Sequence, residues 1–278
     1  MKIKTSFLAT SILAASSLSH AGFTPIDDVQ LGAITGQSGV TIESTIYAEI
    51  GSVVYTDEGS IGINDIVLGG ANKSSYFGKT GIGTGTQSGN ALDGMKIDVD
   101  VAANGNLTIL GGPQGGLFNG LIDFGISTGS VDLMSADTLT SATLIDSINM
   151  TGLFTDFFMT IHADTSHITL DIGIGIDDID IDLSSALGIR VENAFITSSN
   201  YFEELERRGG AQNVRLTDLT ADFEVELYAD DDGLHVELGQ AEFDMGVGSL
   251  IIADASVGSF YLNDVNVSGL AVTISGHP

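Results

Sequence analysis

The clearest signal in the chain lies between His167 and Leu183, where Ile168, Leu170, Ile172, Ile174 and Ile176 are apolar at every second position. Side chains alternate between the two faces of extended backbone, so the spacing predicts a strand with isoleucine on one face and Asp, Gly and Thr on the other. After Asp177-Asp178 the apolar set resumes one step out of phase, at Ile179, Ile181 and Leu183. One extra residue sends every following side chain to the opposite face, so a bulge or turn is expected at that pair of aspartates.

Much of the remaining chain varies this pattern. A Gly-bounded turn feeds a strand that reaches Ile50, and Gly51-Ser52 and Asp57-Glu58-Gly59-Ser60 punctuate two further short strands. Met95 to Val101 reads as a strand, Asn104-Gly105-Asn106 as a hairpin turn, and Leu107 to Leu110 as its return. From Leu121 onward strands recur almost without a break. The periodicity fails in an insertion over about 71–92 and again at Gly111-Gly112-Pro113-Gln114-Gly115-Gly116, both expected to be loops. Two short helices are expected. One opens at Thr24-Pro25 and ends at Gly32. The other spans Tyr201 to Arg208, with Asn200 as its cap, Glu203 closing a capping box, Glu203/Arg207 and Glu204/Arg208 as ion pairs, and Gly209-Gly210 as its stop. Its expected task is to cover a sheet edge.

The segment Gly51-Ser52 to Ile63-Asn64-Asp65-Ile66 is echoed by Gly248-Ser249 to Leu262-Asn263-Asp264-Val265. The spacing of this and of partial copies elsewhere is irregular, which disfavours a strict solenoid. The fold class expected is therefore all-β, a large antiparallel β-sandwich or flattened barrel of repeated hairpins, with a β-roll or solenoid as the alternative.

Composition changes the picture at both termini and in charge. Met1 to Ala21 carries Lys2 and Lys4, an apolar run from Phe7 to Leu18 and the small-x-small end Ser19-His20-Ala21, the pattern of a secretory signal peptide. Residues 22–278 then form a single β-rich domain. The chain has no cysteine, so no disulfide or thiol chemistry supports it after export. With Lys2 and Lys4 set aside, seven basic residues face 37 acidic ones. That excess excludes nucleic acid and anionic membrane surfaces as partners, because both require a positive footprint. Low aromatic content and the lack of a terminal aromatic argue against an outer-membrane barrel, and the protein is not expected to be integral to a membrane.

Candidate chemistry is sparse. His162 and His167 flank the turn Ala163 to Ser166, where exposure to solvent is the ordinary expectation, and no zinc, P-loop or nucleophile-elbow motif occurs. Asp177-Asp178, Glu203-Glu204 and Asp230-Asp231-Asp232 supply paired carboxylates, but the chain has no tryptophan to line a carbohydrate cleft, and no enzyme activity is expected. Asp230, Asp231 and Asp232, followed by Gly233, form the one candidate metal site, and calcium is the cofactor they suit. A solvated hairpin turn explains the same residues.

Leu31 to Glu43, L-G-A-I-T-G-Q-S-G-V-T-I-E, resembles the start of a family of secreted Gram-negative β-rich proteins of unassigned function, in which a short helix precedes a T-G-Q-x-G-[VI]-T-I strand. The resemblance continues to Leu68-Gly69-Gly70 and returns from Gly248 to His277. It implies association with Fil-type pilus or cell-surface systems and supplies no catalytic residue. The expected function is an exported structural protein of the envelope or cell surface, in the periplasm, at the outer membrane or outside the cell. It would act by assembly or adhesion with other surface proteins or with itself. The alternatives are a carrier of an apolar ligand lined by Phe118, Phe124, Phe154, Phe157, Phe158 and Met159, and a calcium-dependent surface adhesin or hydrolase.

Overall fold

Alternating apolar positions become strands through most of the chain, and the strands fall into eight antiparallel lines in sequence order. A computed structural model describes residues 39–71, 73–82, 91–113, 121–135 and 141–276. The leader, the Thr24 helix, Phe118 and His277 lie outside them. The first line is β1 (Val40–Ile46) and β2 (Ala48–Thr56). The second is β3 (Ser60–Gly69) and β6 (Leu92–Val101), with a small hairpin of β4 (Ser75–Tyr76) and β5 (Lys79–Thr80) in the segment between them. The third is β7 (Leu107–Pro113), β8 (Ile122–Thr128) and β9 (Val131–Met134), and the fourth is β10 (Ser141–Ile145) and β11 (Ser147–Ile161). The fifth is β12 (Ile168–Leu183), followed by helix α1 (Ser184–Leu187). The sixth is β13 (Ile189–Ser198) and β14 (Ala221–Asp230), separated by helix α2 (Tyr201–Arg208) and two 3₁₀ turns. The seventh is β15 (Gly233–Leu238) and β16 (Ala241–Ile252), and the eighth is β17 (Ala255–Val267) and β18 (Leu270–Ile274).

Each line pairs with the next, from β1 with β6 and β2 with β3 through to β16 with β17 and β15 with β18. The all-β expectation of repeated antiparallel hairpins holds, and the sheet is not closed into a barrel. Two expected breaks are absent. β2 runs straight through Gly51-Ser52, and β7 continues to Pro113, because cross-strand hydrogen bonds to β3, β6 and β11 outweigh the weak strand preference of glycine.

The phase slip at Asp177-Asp178 is absorbed by a bulge. Thr151 faces Asp178 while Gly152 faces Ile176, so Asp177 is the extra residue and Ile176 and Ile179 stay on the same face. The register of β13 against β12 shifts at Asn193, and that of β17 against β16 shifts at Asn263-Asp264. Asp65, Asn193 and Asp264 all adopt positive φ, near 50°, a region that Asp and Asn tolerate better than branched residues do. The N–H of a bulged residue leaves the ladder, and here a neighbouring strand supplies the acceptor. Asn193 N–H donates to Asp180 Oδ1 at 2.9 Å, and Asp264 N–H donates to Asp244 Oδ1 at 2.8 Å. The echoed Asn64-Asp65 and Asn263-Asp264 thus both place a left-handed Asp in a strand.

The sheet divides across its middle. β11 pairs with β8 over Ile148 to Phe154 and with β7 over Phe157 to Ile161. β12 pairs with β14 over Ile168 to Ile174 and with β13 from Ile176 onward. On one face of this seam Met95, Ile122, Phe124 and Phe154 form a buried cluster. On the other face the segments inserted in the second and sixth lines meet, and Tyr76, Phe77, Ile82, Tyr201, Val214 and Leu219 close over Leu121 and Leu153. Helix α2 therefore covers the seam and not an edge, because its apolar Tyr201, Phe202 and Leu205 pack into this cluster. Its end is the expected one, with Gly210 N–H donating to the Leu205 carbonyl and Gly209 N–H to that of Glu206. Its start differs, since Asn200 makes no side-chain cap bond, and Arg207 folds back onto Glu204 beside Arg208 instead of pairing with Glu203.

Gly175 shows why the polar face of β12 contains glycine. A Cβ there would meet the Leu219 carbonyl and lie 3.3 Å from the Phe77 ring. Gly175→Ala is expected to lower unfolding stability by about 1–3 kcal/mol through overpacking. Gly51→Ala, where a Cβ meets nothing within 4 Å, should stay within about 0.5 kcal/mol of wild type. Urea denaturation of both variants checks the pair, and equal midpoints would remove the close-approach explanation.

Candidate functional site

A dense polar construction lies in the cover over the seam, where the two inserted segments are tied to the long strands. Asp177, the bulge residue of β12, accepts from the Lys73 ammonium at 2.6 Å through Oδ2 and from the Phe77 N–H through Oδ1. Phe77 has positive φ, so this repeats the device of a left-handed N–H capped by an aspartate from a neighbouring strand. Lys73 also donates to Thr151 Oγ1 at 3.1 Å and lies 5.6 Å from the centre of the Tyr76 ring. The Tyr76 hydroxyl donates to Asp123 Oδ2 at 2.8 Å, and Ala71 N–H reaches the same oxygen at 3.2 Å. Both residues are buried. Burial pushes the Tyr76 phenol far up, and its bond to Asp123 adds to the shift, so it stays protonated and acts as a donor. From the other insertion the Tyr201 hydroxyl donates to the Phe77 carbonyl at 2.9 Å, and Gln212 Nε2 donates to the Gly78 carbonyl at 2.9 Å. Chemically the arrangement is a clasp in which the donors and acceptors hold backbone.

The other expected residues are scattered. Asp178 is pushed up by burial, with Asp180 adding to it, and it lies 3.9 Å from Lys73. Glu204 is held low by Arg207 and Arg208. Asp230 closes its own hairpin turn, with Oδ1 accepting from the Asp232 N–H at 2.8 Å and from His235 Nε2 at 2.9 Å. Asp231 and Asp232 are exposed at the tip of that turn. Among the described residues no three His, Asp or Glu side chains are grouped to hold a metal ion. Phe124, Phe154 and Phe157 pack together on one face, whereas Phe158 lies on the other and is 42% exposed. The described phenylalanines of that set therefore do not surround one cavity.

Two groupings escaped sequence reading because each joins residues of three successive lines that only strand register brings side by side. His162 and His167 are half-buried, contrary to the expectation of exposed turn residues. His167 stacks on Tyr228 at 4.5 Å, and Tyr228 stacks on His235 at 4.5 Å, giving a three-ring ladder across β12, β14 and β15. Glu226, Glu237 and Asp230 bond its edges. On the polar face near the seam, Asp156, Asp171, Asp222 and Glu224 line a concavity of about 370 Å³. There burial pushes Asp222 up, with Asp156 and Asp171 adding to it. Strand alternation signals each carboxylate singly, but only register brings them together.

Residues 1–103 match the model of a family of unknown function, DUF6160. The matched stretch ends just after β6, so within the described residues it covers the first two lines. No curated protein and no solved structure matches the chain. Among the described residues no helix is long and apolar enough to cross a membrane.

Asp177→Ala would strand the Lys73 ammonium and the Phe77 N–H, and is expected to lower stability by about 1–3 kcal/mol in urea denaturation. A change under 0.5 kcal/mol would show that the clasp is not needed. Acidity gives a second test. Burial raises Asp178, Asp222 and Asp244 above the ordinary 3.8, so folding gains stability as pH falls through their raised values. Asp98, Asp146 and Asp230 are held below 3.8 by Lys96, Ser185 and His235 respectively, and their contribution is lost only at lower pH. The denaturation midpoint should therefore be higher at about pH 5 than at about pH 7.5 and fall again below about pH 3.5. A midpoint that declines steadily from pH 7.5 to 5 would contradict this assignment.

Proposed function

We propose that the protein is an exported, non-enzymatic component of the cell envelope or surface that acts by assembling with other protein surfaces. One observation carries the reading. Glu43, Glu49 and Asp264 are the only charged residues on β1, β2, β17 and β18, whereas β12 alone carries five aspartates. Free sheet edges are ordinarily guarded by charge. Here the two outermost lines are long, nearly uncharged and rich in exposed Ile, Val, Phe and Leu, as an edge meant for strand addition would be.

Export is supported by the leader-like composition of residues 1–21. The resemblance of Leu31 to Glu43 to exported proteins of pilus and surface systems points the same way. A non-enzymatic role is supported by where the best-placed carboxylates go: Asp177, Asp180, Asp230 and Asp244 all accept backbone N–H groups.

Fractionation of cells expressing the full chain should recover a product beginning at Gly22 in the periplasmic, outer-membrane or extracellular fraction. Deletion should alter surface adhesion or the retention of neighbouring surface proteins. An uncleaved product confined to the cytoplasm would sink the proposal.

A further inference from the structure

We infer that the protein polymerises head to tail, the eighth line of one copy adding to the first line of a second, identical copy. This rests on the assembly reading and names its partner and its surfaces. Among the described residues the first line pairs only with the second, and the eighth only with the seventh. Each is close to continuous, broken only at Tyr47 in one and at Ser268-Gly269 in the other, so each presents one long outer row of backbone donors and acceptors.

Three features select an identical copy as the occupant. The first is parity. Eight antiparallel lines alternate in direction, so the first and eighth run oppositely, and a copy in the same orientation continues both the alternation and the apolar face. The second is the internal echo. β3, which carries Asn64-Asp65, is paired on one side by β2 and on the other by β8 and β9. β17, which carries Asn263-Asp264 with the same left-handed Asp, is paired by β16 alone. The outer side of the eighth line is thus built like a strand that is fully paired elsewhere in the same chain. The third is charge. A net charge of −28 makes two copies repel in most orientations. The repulsion is least where the two nearly uncharged flanks approach, and Val53 and Phe260, 49% and 45% exposed, would be covered there. Because the two flanks differ, the contact is heterologous, and it propagates unless it closes into a ring.

The test uses the mature chain from Gly22. Sedimentation velocity between about 0.1 and 100 µM, a range that brackets Kd values of weak and moderate contacts, should show a ladder of dimers, trimers and higher species. Raising the salt from about 10 to 150 mM should strengthen the ladder by screening repulsion. Ile42→Glu with Val53→Glu blocks the first line, and Phe260→Glu with Val272→Glu blocks the eighth. Each doubly substituted chain, folded by circular dichroism, should be monomeric alone, and the two mixed should give dimers and nothing larger. A wild type that stays monomeric, that stops at dimers, or whose blocked variants still assemble alone would overturn head-to-tail addition. A monomeric chain that is nonetheless exported and held at the surface would leave the envelope reading standing with a different partner. A cytoplasmic chain that forms the ladder would do the reverse.

Discussion

Keeping an apolar face continuous across a very wide antiparallel sheet is the constraint on which the rest of this molecule depends. A strand that twists over many residues cannot hold strict alternation indefinitely, and each extra residue needed to restore the phase releases a backbone N–H from the ladder. A buried N–H without an acceptor costs about 1–3 kcal/mol. The chain meets this cost with aspartate: Asp180 accepts from Asn193 and Asp244 from Asp264, and Asp177 does the same for the turn residue Phe77. Part of the acidity is therefore structural, placed where strands change register. Some of it is held against its own preference, since burial raises Asp178 and Asp244.

The same constraint explains the seam. Where β11 and β12 pass from one set of neighbours to another, the ladder opens on both faces. One opening is filled by Met95, Ile122, Phe124 and Phe154, and the other needs cover that the strands themselves do not provide. The insertions in the second and sixth lines supply it, and glycine at Gly175 lets the Leu219 carbonyl come close. The Lys73, Asp177 and Tyr76, Asp123 contacts then fix two otherwise independent segments over one spot.

Elements that depend on local alternation were legible in the sequence. The strand from Ile168 to Leu183, its bulge at Asp177 and the Gly209-Gly210 stop of α2 follow from spacing and glycine chemistry alone. Gly51-Ser52 and Gly111-Gly112 read as breaks because their local preference is weak, yet neighbours on both sides or one long partner carried the strand through. The His167, Tyr228, His235 ladder and the acidic concavity at Asp222 were hidden because each joins residues of three lines that only strand register brings together. The seam was hidden for the same reason: nothing near Tyr76 announces that it will meet Asp123 and Tyr201. For the candidate metal residues, sequence gave the hairpin at Asp230 but not that Asp230 would be engaged by Asp232 and His235.

Charge placement joins these strands of argument. A chain at −28 that wished only to stay soluble would distribute its carboxylates over every exposed strand, and its outermost strands first, since unpaired edges are where aggregation begins. The distribution here is the reverse: five aspartates on β12 at the centre, none on β18 at the flank. Central aspartates satisfy bulges and keep the polar face wet, which forbids face-to-face stacking of that side. The flanks, lacking charge, lower the barrier to one approach while the rest of the surface raises it for others. Such a field acts as a filter on geometry: it does not hold copies together, but it leaves the edge as the approach that costs least.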